Sequence, residues 1–303
     1  MRLKSLILGC ALLLTPSIPA AAKERAPEAA KVVQARPALW MVKDADTTIY
    51  LFGTIHLLKP DMQWFQGPIR TAYETSQEIV LEVAETEDKD AQAKVMKRAL
   101  AIDAPTLTSR LSESAREKYL AALDSHGLAH ILFDRVKPWF ATLTLSVLPL
   151  KNYGFDPDNG ADHVIKLAAI ADGKTLTGLE SSDEQIGFFE DLPDDLQIRM
   201  LTQTLDELPK LGETIDRMIG AWAGGEPDKL AALMNESVDS TPELEKRLLT
   251  DRNDRWADWI KLRMDKPGTV LVAVGAGHLA GDKSVQAMLA QRGLKAKRVK
   301  QIR

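Results

Sequence analysis

Two apolar segments near opposite ends of the chain finish in the same way, and that pairing constrains the fold more than any other feature. The run 49–52 leads into Gly53-Thr54-Ile55-His56, and the run 270–274 leads into Gly275-Ala276-Gly277-His278. Each reads as a buried strand ending in G-x-x-H, with a leucine next. Runs 39–42 and 48–55, separated by Asp44, Ala45 and Asp46, predict a β-hairpin. Short strands are predicted over 78–83, ending at Glu82, over 175–179, ending at Glu180, over 269–274, and through Val299 at the end. Helical spacing covers 68–75, 91–101, 112–123, 161–171 and 283–291, with Gly293 as a stop. The stretch 183–264 is also helical, punctuated by Pro193, Pro209, Gly224-Gly225 and Pro242, with Thr241 as a candidate cap.

Strands at both ends and helices between them require a sheet assembled from distant segments. The expected class is α/β: a central mixed sheet built from N- and C-terminal segments, with a large helical middle region covering it. One domain, 39–303, is expected to carry a helical insertion at about 183–265. No internal repeat of about 20 to 50 residues is present.

Arg2 and Lys4, an apolar run 6–14, Pro16, Pro19 and three alanines ending at Ala22 have the order of a Sec signal peptide. The run is too short for a bilayer, which needs about 20 residues. A soluble periplasmic or secreted protein starting at Lys23 is expected, with 23–38 as a flexible leader and without stable membrane insertion. Cys10, the single cysteine, gives a lipoprotein reading second rank, because the most apolar residues follow it. Its loss with the signal leaves no disulfide, as suits a core large enough to need none. Removing Arg2 and Lys4 takes the formal net charge from −4 to −6. The basic residues are scattered, so no nucleic-acid partner is expected.

Ligands in an open α/β sheet bind at the carboxyl ends of strands, where both G-x-x-H motifs, Glu82 and Glu180 are predicted. Gly53 and Gly275 at such ends let the backbone turn sharply or approach a ligand. A carboxylate closing an apolar strand is costly unless a metal, a cation or a hydrogen-bond network compensates it. Two imidazoles with a carboxylate form the ligand set of a catalytic zinc site, and a second carboxylate can act as general base. The competing reading pairs each histidine with backbone and each glutamate with Arg or Lys.

The ordered series Trp40, Tyr50-Leu51-Phe52-Gly53-Thr54-Ile55-His56-Leu57, Leu81-Glu82, Gly178-Leu179-Glu180, Asp251-Arg252-Asn253 with Trp256, and Val274-Gly275-Ala276-Gly277-His278-Leu279-Ala280-Gly281 resembles the TraB/GumN family over about 39–299. That family is related to the Tiki proteases and more distantly to EreA-like and ChaN-like proteins. The resemblance implies His56, Glu82 and His278 as metal or catalytic residues around a divalent ion such as Zn, Mn or Co. It implies Glu180 as a second acidic position and Gly160-Ala161-Asp162 as a G-x-D motif, though Asp162 also suits a helix N-cap. Arg252 and Asn253 could bind a substrate carboxylate or stabilise an oxyanion, while an arginine in an acidic helix also suits a surface pair. Gly277 belongs with Gly53, Gly275 and Asp162 among the residues expected around the substrate.

The expected function is metal-dependent hydrolysis of a peptide or related bond, with a peptide or small molecule as substrate. The alternative is a non-catalytic protein that binds metal, haem or peptide. The string 275–280 also satisfies G-x-G-x-x-A, but no acidic residue follows at about 20 residues and the chain has no further βα units. Gly173-Lys174-Thr175 lacks the first glycine of a P-loop. H-E-x-x-H and G-x-S-x-G are absent. His126, His130 and His163 suit helix ends, and Trp139-Phe140, Trp256 and Trp259 suit core packing or a groove.

Overall fold

The computed structural model describes residues 32–85, 90–235 and 242–300. The signal segment 1–22 with Cys10, the leader residues 23–31 and Thr241 lie outside the described residues. The strands are β1 (Val33–Gln34), β2 (Leu39–Lys43), β3 (Thr47–Thr54), β4 (Met62–Gln63), β5 (Glu78–Leu81), β6 (Thr175–Gly178), β7 (Gly268–Gly275) and β8 (Lys297–Arg298). Six of them form one sheet in the order β6-β5-β7-β3-β2-β8, and β1 pairs with β4 apart from it. The four strands β6, β5, β7 and β3 are mutually parallel, while β2 runs antiparallel to both β3 and β8. The sheet is therefore mixed and joins segments from both ends of the chain.

The hairpin β2–β3 turns where Asp44 Oδ1 accepts the backbone N–H of Asp46 and Thr47 at 3.2 and 2.8 Å. This side chain mimics a backbone turn partner. The parallel strands need crossovers, and helices supply them. The longer helices are α1 (Gly67–Thr75), α2 (Ala91–Ala99), α3 (Glu113–Ser125), α4 (Pro138–Val147), α5 (Ala161–Ala171) and α6 (Ser182–Glu190). They continue with α7 (Asp194–Glu207), α8 (Leu211–Ala223), α9 (Pro227–Asn235), α10 (Asp251–Arg263) and α11 (Val285–Gln291).

Side chains alternate across a strand, so β3 and β7 feed two cores at once. Phe52 and Leu271 join Ile69, Ile165, Ile219 and Trp222 on one face. Ile49, Leu51, Val270 and Val272 join Trp256, Ile260 and Leu289 on the other. A third core lies within the helices, where Tyr119, Trp139, Leu143, Phe189, Met200 and Leu248 are buried together. It draws on α2, α3 and α4 as well as on the region expected as an insertion, so the helical layer begins well before residue 183. All ten residues of α4 are buried, Thr142, Thr144 and Ser146 among them, and a helix buried all round shows no stripe for periodicity to detect.

The folded body includes the end of the stretch expected as leader: β1 pairs with β4, and Ala35 is buried against the main core. The chain leaves the sheet at Leu81, two residues before the expected end of that strand. Ser284 caps α11 by accepting from Ala287 N–H, and β8 is a two-residue edge strand ending before Val299. No helix among the described residues is long and apolar enough to cross a membrane.

Candidate active site

The four parallel strands end side by side, and each is followed within three residues by a candidate group: His56 after β3, Glu82 after β5, Glu180 after β6 and His278 after β7. All four are buried. The backbone ladder runs on past the strands, with the Glu180 N–H donating to Glu82 O at 2.9 Å. Close approach explains the motif glycines. A Cβ on Gly53 would stand 2.9 Å from Ala276 Cα, so the two G-x-x-H turns pack backbone on backbone. One on Gly275 would stand 2.9 Å from Glu82 Oε1, where the Gly275 N–H donates at 2.5 Å. Gly277 lies against the flexible end of Met234. Trp222 of α8 donates from its indole to Gly53 O at 2.7 Å and ties the first turn to the main core.

Arg252, at the start of α10, stands among these groups and is 1% exposed. Its Nε donates to both oxygens of Glu180 at 2.9 and 3.0 Å. Nη2 donates to Glu82 Oε2 and Glu180 Oε2, each at 2.8 Å. Nη1 donates to Leu248 O at 3.1 Å and to His278 Nε2 at 2.9 Å. A guanidinium has five N–H groups, and these partners engage all of them. The turn before α10, Lys246–Thr250, is wound wider than an α-helix, with Asp251 N–H reaching back five residues to Lys246 O. Such turns collect at functional sites.

The network fixes the state of His278. Asn253 Nδ2 donates to Lys283 O at 2.7 Å, which points Asn253 Oδ1 at His278 Nδ1, 2.6 Å away. Nδ1 therefore carries the proton and Nε2 accepts from Arg252. Trp256 lies under the imidazole at 4.4 Å and under the Arg252 guanidinium at 4.8 Å, so it is the floor of the cluster. Burial, reinforced by the Arg252 charge, pushes the His278 pKa down to about 3. Burial alone would raise that of Glu82, but Arg252, the two histidines and the Gly275 N–H hold it down to about 2. Arg252 and Asn253 thus arrange other protein groups, and Arg252, buried, is not a surface pair.

His56 stands on the other side of the Gly53 turn, its Nδ1 2.9 Å from Asp162 Oδ1. Asp162 lies in the first turn of α5, whose N-cap is Gly160 without a side-chain cap, and its carboxylate stands beside the imidazole at ion-pair distance, without hydrogen-bond geometry. Gly160 packs on the His56 carbonyl with no room for a Cβ, and Ala161 N–H donates to Ile55 O at 2.8 Å. These contacts seat α5 directly on the first motif. The electrostatic influence of His56 reaches both Glu82 and His278.

Sequence reasoning missed Gln185. Its Nε2 bridges Glu82 Oε2 at 3.0 Å and Glu180 Oε2 at 3.3 Å. The signal that could have found it is the capping box Ser181–Glu184 opening α6; Phe188, one turn on, covers Arg252 at 5.2 Å. Arg255, also missed, reaches Glu180 Oε1 at 3.2 Å from a half-exposed position. His130 lies outside the cluster, paired with Asp124 on the surface. His126 ends α3, and Trp139 is wholly buried in the helical core.

A model of the TraB/PrgY/gumN family matches residues 38–298. The chain belongs to that family. It is 24% identical over 253 residues to "Uncharacterized protein YbaP" of Escherichia coli (strain K12), covering 84% of this chain and 92% of that protein. The protein of the same name from Shigella flexneri matches to the same extent. No solved structure matches the chain.

A divalent ion on His56, Glu82 and His278, which the sequence resemblance implies, does not fit these side chains as they stand. His278 Nε2 accepts from Arg252 Nη1 while Glu82 Oε2 and Glu180 Oε2 share Nη2, so imidazole and carboxylates face different nitrogens of a planar fork whose own charge fills the space between them. No group of three or more His, Cys, Asp or Glu among the described residues is arranged to hold a metal.

Proposed function

We propose that this chain is a hydrolase of a peptide or related carbonyl bond, acting outside the cytoplasm, with His56 as its acid–base group. The observation that carries the reading is buried His56 just after β3, its Nδ1 2.9 Å from the half-buried Asp162 Oδ1 of α5, set beside a cluster of fixed charge at the ends of the other three parallel strands. A carboxylate this close to one imidazole nitrogen stabilises the imidazolium. His56 then takes a proton from water as the oxygen attacks the carbonyl carbon, and returns it to the leaving amine or alkoxide as that bond breaks. Glu82, Arg252, Gln185 and His278 satisfy one another, so they supply a rigid, preorganised field and not a proton. The signal-like segment ending at Ala22 supports the location.

The test is a peptide and ester library offered to the mature protein in H2 18O, with His56→Ala and Asp162→Asn beside it. Products carrying one heavy oxygen per cleaved bond, lost in His56→Ala and diminished in Asp162→Asn, are expected. Equal cleavage by all three proteins would end the reading. A second reading is a peptide- or small-molecule-binding protein without turnover. It is favoured by the same mutual satisfaction of the cluster, which gives it a structural use that needs no reaction. Saturable binding without any product would select it.

A further inference from the structure

The cation of this site is part of the chain. Two carboxylates and an imidazole nitrogen, the acceptors that first-row divalent ions prefer, converge on Arg252 at 2.8 to 3.0 Å. We propose that Arg252 is the resident cation of the cluster, holding the place of a divalent ion, and that Glu82, Glu180 and His278 become a metal site only when the guanidinium is removed.

Three observations carry this. First, the outer support of a metal site is already built: His278 Nδ1 is held at 2.6 Å by an Asn253 amide whose orientation Lys283 O fixes. A partner of that kind is what metal-bound imidazoles have, and it turns Nε2 inward. Second, the spacing is nearly right. His278 Nε2 is 3.8 Å from Glu82 Oε1, while two ligands on a tetrahedral ion with bonds near 2.1 Å sit roughly 3.4 Å apart. Third, the charge suits an exchange. Arg252 contributes one positive charge against two buried carboxylates, with Arg255 reaching only Glu180 from the rim, so a doubly charged ion would balance the pair. What keeps the site from closing on a point is the fork itself, which holds His278 on Nη1 and the two carboxylates on Nη2. Arg252 is in these terms a positioning residue: it sets where Glu82 and His278 stand, and no donor of its own is left for a substrate.

The inference stands whether or not the site turns over a substrate. Its test uses the mature protein, His278→Ala, Arg252→Ala, and the double variant Arg252→Ala/His278→Ala, each dialysed against Zn2+ and then metal-free buffer, with zinc counted per chain and titrated by calorimetry. The native protein is expected to retain well under one ion per chain, Arg252→Ala about one, and the double variant none. Should Arg252→Ala fold only when Zn2+ is present, the exchange is equally upheld. One zinc ion per native chain that His278→Ala abolishes would overturn the proposal. So would a folded Arg252→Ala that binds none, or one that fails to fold even with the ion supplied.

Discussion

Replacing Glu82 by glutamine tests how the buried cluster is held. Glu82 accepts from Gly275 N–H at 2.5 Å, Arg252 Nη2 at 2.8 Å and Gln185 Nε2 at 3.0 Å. All three are donors, and the amide NH2 of a glutamine would face at least one of them with nothing to accept. Arg252 would keep only Glu180 as its counter-charge. The stabilisation of the ionised carboxylate gives the scale. A folded pKa of about 2 against 4.5 corresponds to about 3 kcal/mol, an order of magnitude that matches the cost of breaking a buried pair, about 3–5 kcal/mol. The sign follows from linkage. The folded pKa lies below the unfolded one, so this stability is fully present above pH 4.5 and is lost as pH falls toward 2. Urea unfolding at pH 7 should place Glu82→Gln about 3 kcal/mol below the native protein, and the gap should narrow as pH descends from 4.5 to 2.5. A loss under about 1 kcal/mol at pH 7, or a gap that does not change with acid, would show that Glu82 is not held as an ionised partner of Arg252.

Two further substitutions probe the supports of the site. Gly53→Ala drives a methyl to 2.9 Å from the Ala276 backbone; a loss of about 1–3 kcal/mol in urea unfolding is expected, and an unchanged midpoint would deny the packing of the two motif turns. Asn253→Ala removes the acceptor of His278 Nδ1 and the donor to Lys283 O. It should cost about 1–3 kcal/mol and, read by 15N NMR, free His278 to populate the Nε2–H tautomer, whereas an unaltered imidazole spectrum would show that Arg252 alone sets it.

The fold class was legible because strand and helix leave different periods. The strands at 49–54 and 269–274 are buried on both faces and read as apolar runs, while the helices over them show stripes. The order of the sheet was not legible, because β5 meets β6 and β7 through pairings across about a hundred residues or more, and nothing local records them. Glu82 and Glu180 were found because a charge abruptly ending an apolar run is costly enough to stand out. Arg252 was found as a residue but not as the centre of the cluster. On a helix an arginine beside aspartates reads as a solvated pair, and only the fold turns it inward onto Trp256. Gln185 was missed because a single amide has no pattern of its own; only the capping box Ser181–Glu184 marks the helix start that carries it.

Cleavage by the native mature protein and by His56→Ala, compared on one library substrate after urea unfolding shows the two equally stable, decides whether His56 carries the proton. A hydrolase run by the His56–Asp162 pair predicts turnover in the native chain and a fall of about 100-fold or more in the variant. Equal rates in the two, or no product from the native chain on any peptide or ester, would contradict it.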